Sequence, residues 1–185
     1  MKKNAVVFLA DGFEEIETLA VVDLLRRADI NVILAGVTGD KCTGAHNIIV
    51  SADDVAENVK VEEFDAFICP GGGLGAQNLK NSKLVTSLIK DAFDKGKLVA
   101  AICAAPIALE EAGIMNGKKA TIYPAMKDCL EKAAFIDSQV VADNNIITAQ
   151  GPAASFAFGF ALIEYLVGKA ASDKVASDTL FSKFY

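Results

Sequence analysis

The chain runs to 185 residues with a net charge of −6 at neutral pH, and 52% of it is hydrophobic. That length suits one domain with a full core, so residues 1–185 are expected to fold as a single unit. The acidic balance, with no basic stripe, argues against nucleic acid as the main partner. No apolar run approaches the roughly 20 residues that cross a bilayer, so no membrane partner is expected despite a mean hydropathy of +0.35.

The N-terminal stretch MKKNAVVFLADGF superficially resembles a secretory leader. Its apolar run stops at Ala10, before Asp11, which is too short for an h-region followed by a cleavage site. It reads as a first strand, NAVVFLA (4–10), in a cytoplasmic protein. A helix is expected over 14–28, EEIETLAVVDLLRRA, which is made of good helix formers. NVILAG (31–36) reads as a second strand. CTGAHNIIVSAD (42–53) alternates less cleanly and is expected to form a small edge hairpin. AFICPGGG (66–73) reads as a buried strand ending in a glycine loop. SKLVTSLIKDAFDKG (82–96) reads as a helix with Ser82 as N-cap and Gly96 past its end. KLVAAIC (97–103) is a further strand, followed by a helix, APIALEEAG, at 105–113. Later strands are expected at 119–124 and 145–151, and a long apolar helix at 155–168. Val175, Leu180 and Phe181 give the tail a packed terminal helix. Apolar runs alternating with helices point to parallel strands buried on both faces. The expected fold class is therefore an α/β three-layer sandwich with a mostly parallel sheet.

Sites in such sheets form at the C-terminal ends of the strands. That rule selects three loops: ADGFEE after the first strand, PGGG after the third and CAA after the fourth. Pro106 is tolerated only in the first turn of a helix, so it sets the helix start near Ala104 or Ala105. Cys103 then lies on the turn itself, where free N–H groups and the helix dipole are expected to lower its pKa. The arrangement is that of a nucleophile elbow with sulfur in place of oxygen. The loop Gly71-Gly72-Gly73 lets backbone approach a ligand, and its N–H groups, with that of Ala104, can form an oxyanion hole. It is not a phosphate loop, because no Lys-Ser/Thr follows. Glu17 heads the stripe Val21, Leu24, Leu25, Ala28, so it is expected to be partly buried with a raised pKa, which suits a proton shuttle. Periodicity does not exclude Glu14 from that role, while Glu15 points away from the stripe. His46, the only histidine, falls in the hairpin, far from the strand ends, as a surface or interface residue. Cys69 reads as core, Cys129 as structural in a helical segment, and Cys42 as a loop thiol with nothing to activate it. There is no CxxC and no His/Cys cluster, so no metal or other cofactor is expected and the thiols are independent ones of a reducing compartment.

The stretches DGFEEIET (11–18), CPGGGLGAQNL (69–79), AAICAAPIAL (100–109) and QGPAASFAFGFALIE (150–164) occur in an order and spacing that resembles the ThiJ/PfpI superfamily, most closely its parkinsonism-associated deglycase branch (DJ-one-like proteins). The resemblance covers nearly the whole chain. It implies a flavodoxin-like sandwich, a homodimer, a nucleophilic Cys103 on a strained elbow and a Glu17 hydrogen-bonded to its sulfur. It also implies an oxyanion hole from the backbone of Gly72 and Ala104. The chain departs from the branch in carrying Tyr123 where many members have histidine, Gly73 where they often have asparagine, and His46 in place of a second pocket arginine. Arg27 is retained. A Cys-His peptidase or amidotransferase is therefore not expected. The expected activity is a cofactor-free glyoxalase or deglycase acting on small reactive aldehydes such as methylglyoxal, in carbonyl and oxidative stress defence. The alternative is a redox-sensing chaperone whose Cys103 is oxidised to a sulfinate without turnover. Ile16, Leu19 and Ala20 make the first helix apolar on a second side, which also predicts the homodimer.

Overall fold

Uninterrupted apolar runs become strands with no solvent face, and β1 (Asn4–Leu9) shows it, with Ala5 through Leu9 all fully buried. The computed structural model describes residues 2–184. After β1 come α1 (Glu15–Arg27), β2 (Asn31–Gly36), the hairpin β3 (Lys41–Thr43) and β4 (Ile49–Ser51), β5 (Asp54–Val55) and β6 (Ala66–Cys69). Next are α2 (Gly73–Asn81), α3 (Lys83–Asp94), β7 (Leu98–Ile102), α4 (Pro106–Glu111), β8 (Lys119–Ala120) and β9 (Ala134–Phe135). The chain ends with β10 (Val140–Asp143), β11 (Ile146–Ala149), α5 (Ser155–Val167), α6 (Lys169–Asp178) and α7 (Phe181–Phe184).

Seven strands form one sheet in the order β10-β11-β7-β6-β1-β2-β5. All neighbours are parallel except β10, which runs antiparallel to β11 at the edge. Alternate residues along each strand feed two separate cores. Val7, Leu9, Ile68 and Ile102 pack with Leu24 of α1 and with Phe158 and Leu162 of α5. Phe8, Phe67, Val99 and Ile146 pack with Leu79, Ile89 and Leu109 of α2, α3 and α4 on the other face. This is the expected three-layer, flavodoxin-like sandwich. Ser82 caps α3 as its sequence predicts, its hydroxyl accepting from the Val85 N–H at 3.3 Å.

Several expectations need correction. The nine-residue α2 follows the glycine loop where no helix is expected, and composition hides it because Gly73 and Gly75 are poor helix formers. The strand expected at 119–124 shortens to β8, which pairs with β9 outside the main sheet, and Pro124 turns the chain into a 3-10 helix. The helix expected around Cys129 is that same 3-10 segment, Pro124–Cys129, and its thiol is exposed. Cys42 is no open loop thiol: it is fully buried in β3, with its Sγ 3.3 Å from the Leu9 carbonyl. The tail forms two helices instead of one, broken at Leu180, whose φ is +58°. Among the described residues no helix is long and apolar enough to cross a membrane.

Candidate active site

The parallel register brings the ends of β1, β6 and β7 side by side, and three loops converge there. From β1 the chain turns through Asp11 and Gly12 into α1, whose N-cap is Glu14; its carboxylate accepts from the Glu17 N–H at 2.7 Å. The Glu14 N–H donates to the Gly71 carbonyl at 3.0 Å, which ties the helix start to the glycine loop. Glu17, one turn in, is 1% exposed. Its Oε2 accepts from the Gly71 N–H at 3.0 Å. Its Oε1 has no conventional hydrogen-bond partner, and the group facing the carboxyl is the Cys103 thiol.

Cys103 follows β7 with a φ of +61°, a left-handed conformation that costs a cysteine strain. Three bonds hold it there. Its N–H donates to the Ala149 carbonyl at 2.9 Å, and its own carbonyl accepts from the Tyr123 N–H at 2.9 Å. The Ala105 N–H closes the turn on Ile102 at 3.0 Å. The N–H groups of Gly72 and Ala104 point at the sulfur. Gly71 has no room for a side chain, since a Cβ there would lie 2.6 Å from the Cys103 Cβ. Gly72 has a φ of +85°, which turns its N–H inward.

The electrostatics differ from expectation in one respect. Burial first, and then the charge of Glu14, push the Glu17 carboxyl up to about 7, against the pull of the thiol and the Gly71 N–H. A position at a helix N-terminus predicts a lowered Cys103 pKa. Instead burial first, and then the charge and hydrogen bond of Glu17, push it up to about 12, with the Gly72 and Ala104 N–H groups opposing. α4 is only six residues long, too short for its dipole to win. Cys103 therefore rests as a thiol, and Glu17 is the group of the pair that ionises first.

The remaining candidates divide. Tyr123 reaches the elbow through its backbone, and Gly73 opens α2 with open space beside it. Arg27 does not reach the site: it lies ten residues beyond Glu17, roughly 15 Å along the helix, in an exposed pair with Asp23 at 2.6 Å. His46 is not remote from the strand ends. Its backbone N–H donates to Glu15 Oε1 at 2.7 Å and its Nδ1 lies 2.8 Å from Glu15 Oε2. Glu15 points away from the stripe, as its spacing predicts, yet the hairpin buries it. Glu14, Glu15 and His46 hold ligand atoms within 4.8 Å of one another, the one metal-competent grouping among the described residues, but Glu15 and His46 are already bonded to each other. Gly151 and Pro152, in the stretch QGPAAS that the resemblance already marks, follow Ala149, whose carbonyl accepts from the Cys103 N–H.

The profile described as the DJ-1/PfpI family matches residues 3–165. Protein dj-1beta of Drosophila melanogaster is 38% identical over 97% of this chain and 98% of its own. Its crystal structure superposes with a TM-score of 0.95, covering the same shares at 37% identity. The deglycase PH1704 of Pyrococcus horikoshii is 35% identical over 83% of this chain and 93% of its own. The structure of oxidized Toxoplasma gondii DJ-1 is 33% identical, with a TM-score of 0.91 over 96% of this chain and 98% of that one.

Proposed function

The chain belongs to the DJ-1/PfpI family, and from that premise we propose that it is a cysteine-dependent, cofactor-free glyoxalase or deglycase acting on methylglyoxal-like 2-oxoaldehydes or their adducts. The observation that carries this reading is the buried Glu17, poised near neutrality, facing a strained Cys103 thiol toward which two backbone N–H groups point. The deglycase name of the Pyrococcus relative supports it.

Ionised Glu17 takes the thiol proton as Sγ forms a bond to the aldehyde carbon. The developing oxyanion receives the Gly72 and Ala104 N–H bonds and then the proton held by Glu17, giving a hemithioacetal. Glu17 next moves the C1 proton to C2 through an enediol, which leaves a 2-hydroxyacyl thioester. Water releases the 2-hydroxy acid and restores the thiol. Methylglyoxal plus water gives lactate, so no external oxidant or reductant enters. In a glutathione-free assay Cys103→Ser is expected to lose methylglyoxal consumption by about 10³-fold or more while keeping its melting temperature. Full consumption by that variant would overturn the reading.

A redox-sensing role is the second reading, favoured by the oxidized state named for the Toxoplasma relative. Glu17, in its protonated form, would donate to a sulfinate on Cys103. Preferential oxidation of Cys103 over the exposed Cys129 under mild peroxide, read by mass spectrometry, tests it. We also propose a homodimer through α1 and the hairpin, where Ile16, Leu19, Ile48 and Ile49 stand exposed. Sedimentation velocity at micromolar concentration decides between dimer and monomer. A reducing compartment such as the cytoplasm suits four free thiols.

A further inference from the structure

β11 reads IITA and is buried throughout. Ile146 feeds one core and Ile147 and Ala149 the other, so alternation turns Thr148 toward the side covered by α2, α3 and α4. A hydroxyl in that fully buried place costs stability unless it is bonded. Thr148 Oγ1 accepts from the Thr121 N–H at 2.9 Å. Thr121 is itself fully buried and stands one residue past β8, outside the β8–β9 pairing. Two residues on, the Tyr123 N–H donates to the Cys103 carbonyl, and the Cys103 N–H donates to Ala149, the neighbour of Thr148, both at 2.9 Å. These bonds close a ring. It runs from Thr148 to Thr121, along the chain to Tyr123, across to Cys103, and back through Ala149.

We propose that Thr148 is a positioning residue for the Cys103 nucleophile, its hydroxyl holding closed the ring that clamps the Cys103 backbone from both sides. This rests on the cysteine chemistry proposed above. Cys103 keeps a φ of +61°, and a cysteine holds such a conformation only where its surroundings over-determine it. The hold on its carbonyl comes from segment 119–123, which lies outside the seven-stranded sheet. Lys119 ties the start of that segment to β10, its N–H donating to Asp143 Oδ2 at 2.8 Å, but that bond is exposed. The buried tie nearest Tyr123 is the Thr148 hydroxyl. Valine would fill the same volume and suit a strand as well, yet it would leave the Thr121 N–H without its acceptor. The segment is then free to draw back and the Cys103 carbonyl loses its donor. The sulfur shifts from Glu17 and from the Gly72 and Ala104 N–H groups that point at it.

Thr148→Val is expected to lower kcat for methylglyoxal about tenfold or more with KM held within about twofold, because small displacements of reacting groups are costly. Thr148→Ser, which keeps the acceptor, is expected to restore kcat to within about threefold of wild type. Wild-type kcat in Thr148→Val, or an equal loss in Thr148→Ser, overturns the proposal. Amide hydrogen exchange reads the ring without turnover. The Tyr123 and Cys103 amides are expected to exchange about tenfold faster in Thr148→Val. The Val99 amide, bonded to Asn145 at the opposite end of β7, is expected to keep its protection. Unchanged exchange at Tyr123, or an equal loss at Val99, overturns the proposal, the second because it marks general loosening of the fold. In the wild type alone, one ring that opens as a unit gives Thr121 and Tyr123 protection factors within about threefold of each other. A Tyr123 amide less protected than that also overturns the proposal, whether or not the valine variant folds. If wild type consumes no methylglyoxal, the aldehyde reading fails, and the exchange rates still decide whether Thr148 holds the elbow.

Discussion

Glu15 and Glu17 sit two residues apart at the start of α1, and both are buried, yet their acidities move in opposite directions. On the hairpin side, burial pushes Glu15 up, but hydrogen bonds from the His46 side chain and backbone outweigh it and hold the carboxyl below its ordinary range. On the elbow side, Glu17 meets one N–H and a thiol that is itself an acid, and burial wins. The lesson is that burial by itself does not set a carboxyl's role. What it faces does: a cationic or N–H-rich partner makes a structural anchor, and a weak acid makes a proton carrier. The same contrast holds between two thiols on adjacent strands. Cys69 at the end of β6 is raised to about 12 by burial alone, whereas Cys103 is raised to the same level with a base beside it and donors aimed at its sulfur.

The largest expected break in the comparison is Glu17→Gln, which removes the proton carrier and leaves the anchor. It is expected to lower kcat/KM for methylglyoxal by about 10² to 10⁴-fold. It also abolishes a pH dependence. Because the ionised carboxyl is the base, wild-type kcat/KM rises with pH through a midpoint at about 7, and the variant shows no such step. Stability gives the opposite sign. The folded pKa lies above the carboxyl's ordinary 4.5, so the folded state holds an extra proton between 4.5 and about 7. Stability from this group is lost as pH rises through that window, by about 3 kcal/mol. Glu17→Gln is therefore expected to be more stable than wild type at pH 8, and equal to it at pH 4, in urea titrations.

Gly71→Ala tests the seam between the two regions, because Gly71 contacts both the Glu17 carboxyl and Cys103. The added methyl is expected to cost about 1–3 kcal/mol in denaturant unfolding and to lower turnover by displacing the pair. Turnover at the wild-type level would show that their contact is not needed. The smallest effect is expected for Glu15→Gln. It removes the carboxylate that raises the His46 pKa by hydrogen bond and then by charge. The single histidine is expected to titrate at a lower pH in that variant, followed by its ring resonances in NMR, while the pH midpoint for turnover stays near 7.

Much of the site is legible in the sequence because local rules fix it. Pro106 can stand only in a first helical turn, so Cys103 must fall on the turn before it. The stripe from Val21 to Ala28 orients Glu17 inward, and the glycine run marks backbone that must pass close to something. What sequence cannot show is what arrives from elsewhere. The hairpin folds over the side of α1 that its periodicity leaves open, so Glu15 is buried and His46 finds a partner 31 residues away. The thiol pKa is misread for a similar reason: the short α4 is a local feature, but the burial that first outweighs it, and then the charge of Glu17 on α1, come from packing between elements distant in the chain. β10 escapes notice because its apolar run, Val140 to Ala142, is too short to signal a strand, and α2 because its two glycines are poor helix formers, Gly75 being set by its close approach to Phe13.

The Gly71 N–H bond to Glu17 joins residues 54 apart, and the Cys103 N–H bond to Ala149 reaches another 46 positions along. Such closures join elements far apart in the chain, so no local segment can make them alone. Without β11 the Cys103 N–H loses its acceptor, the Ala149 carbonyl. The strained turn at Cys103 thus depends on β11, and a chain cut before Ala149 is expected to show no preferential alkylation or oxidation of Cys103 over Cys129 by mass spectrometry.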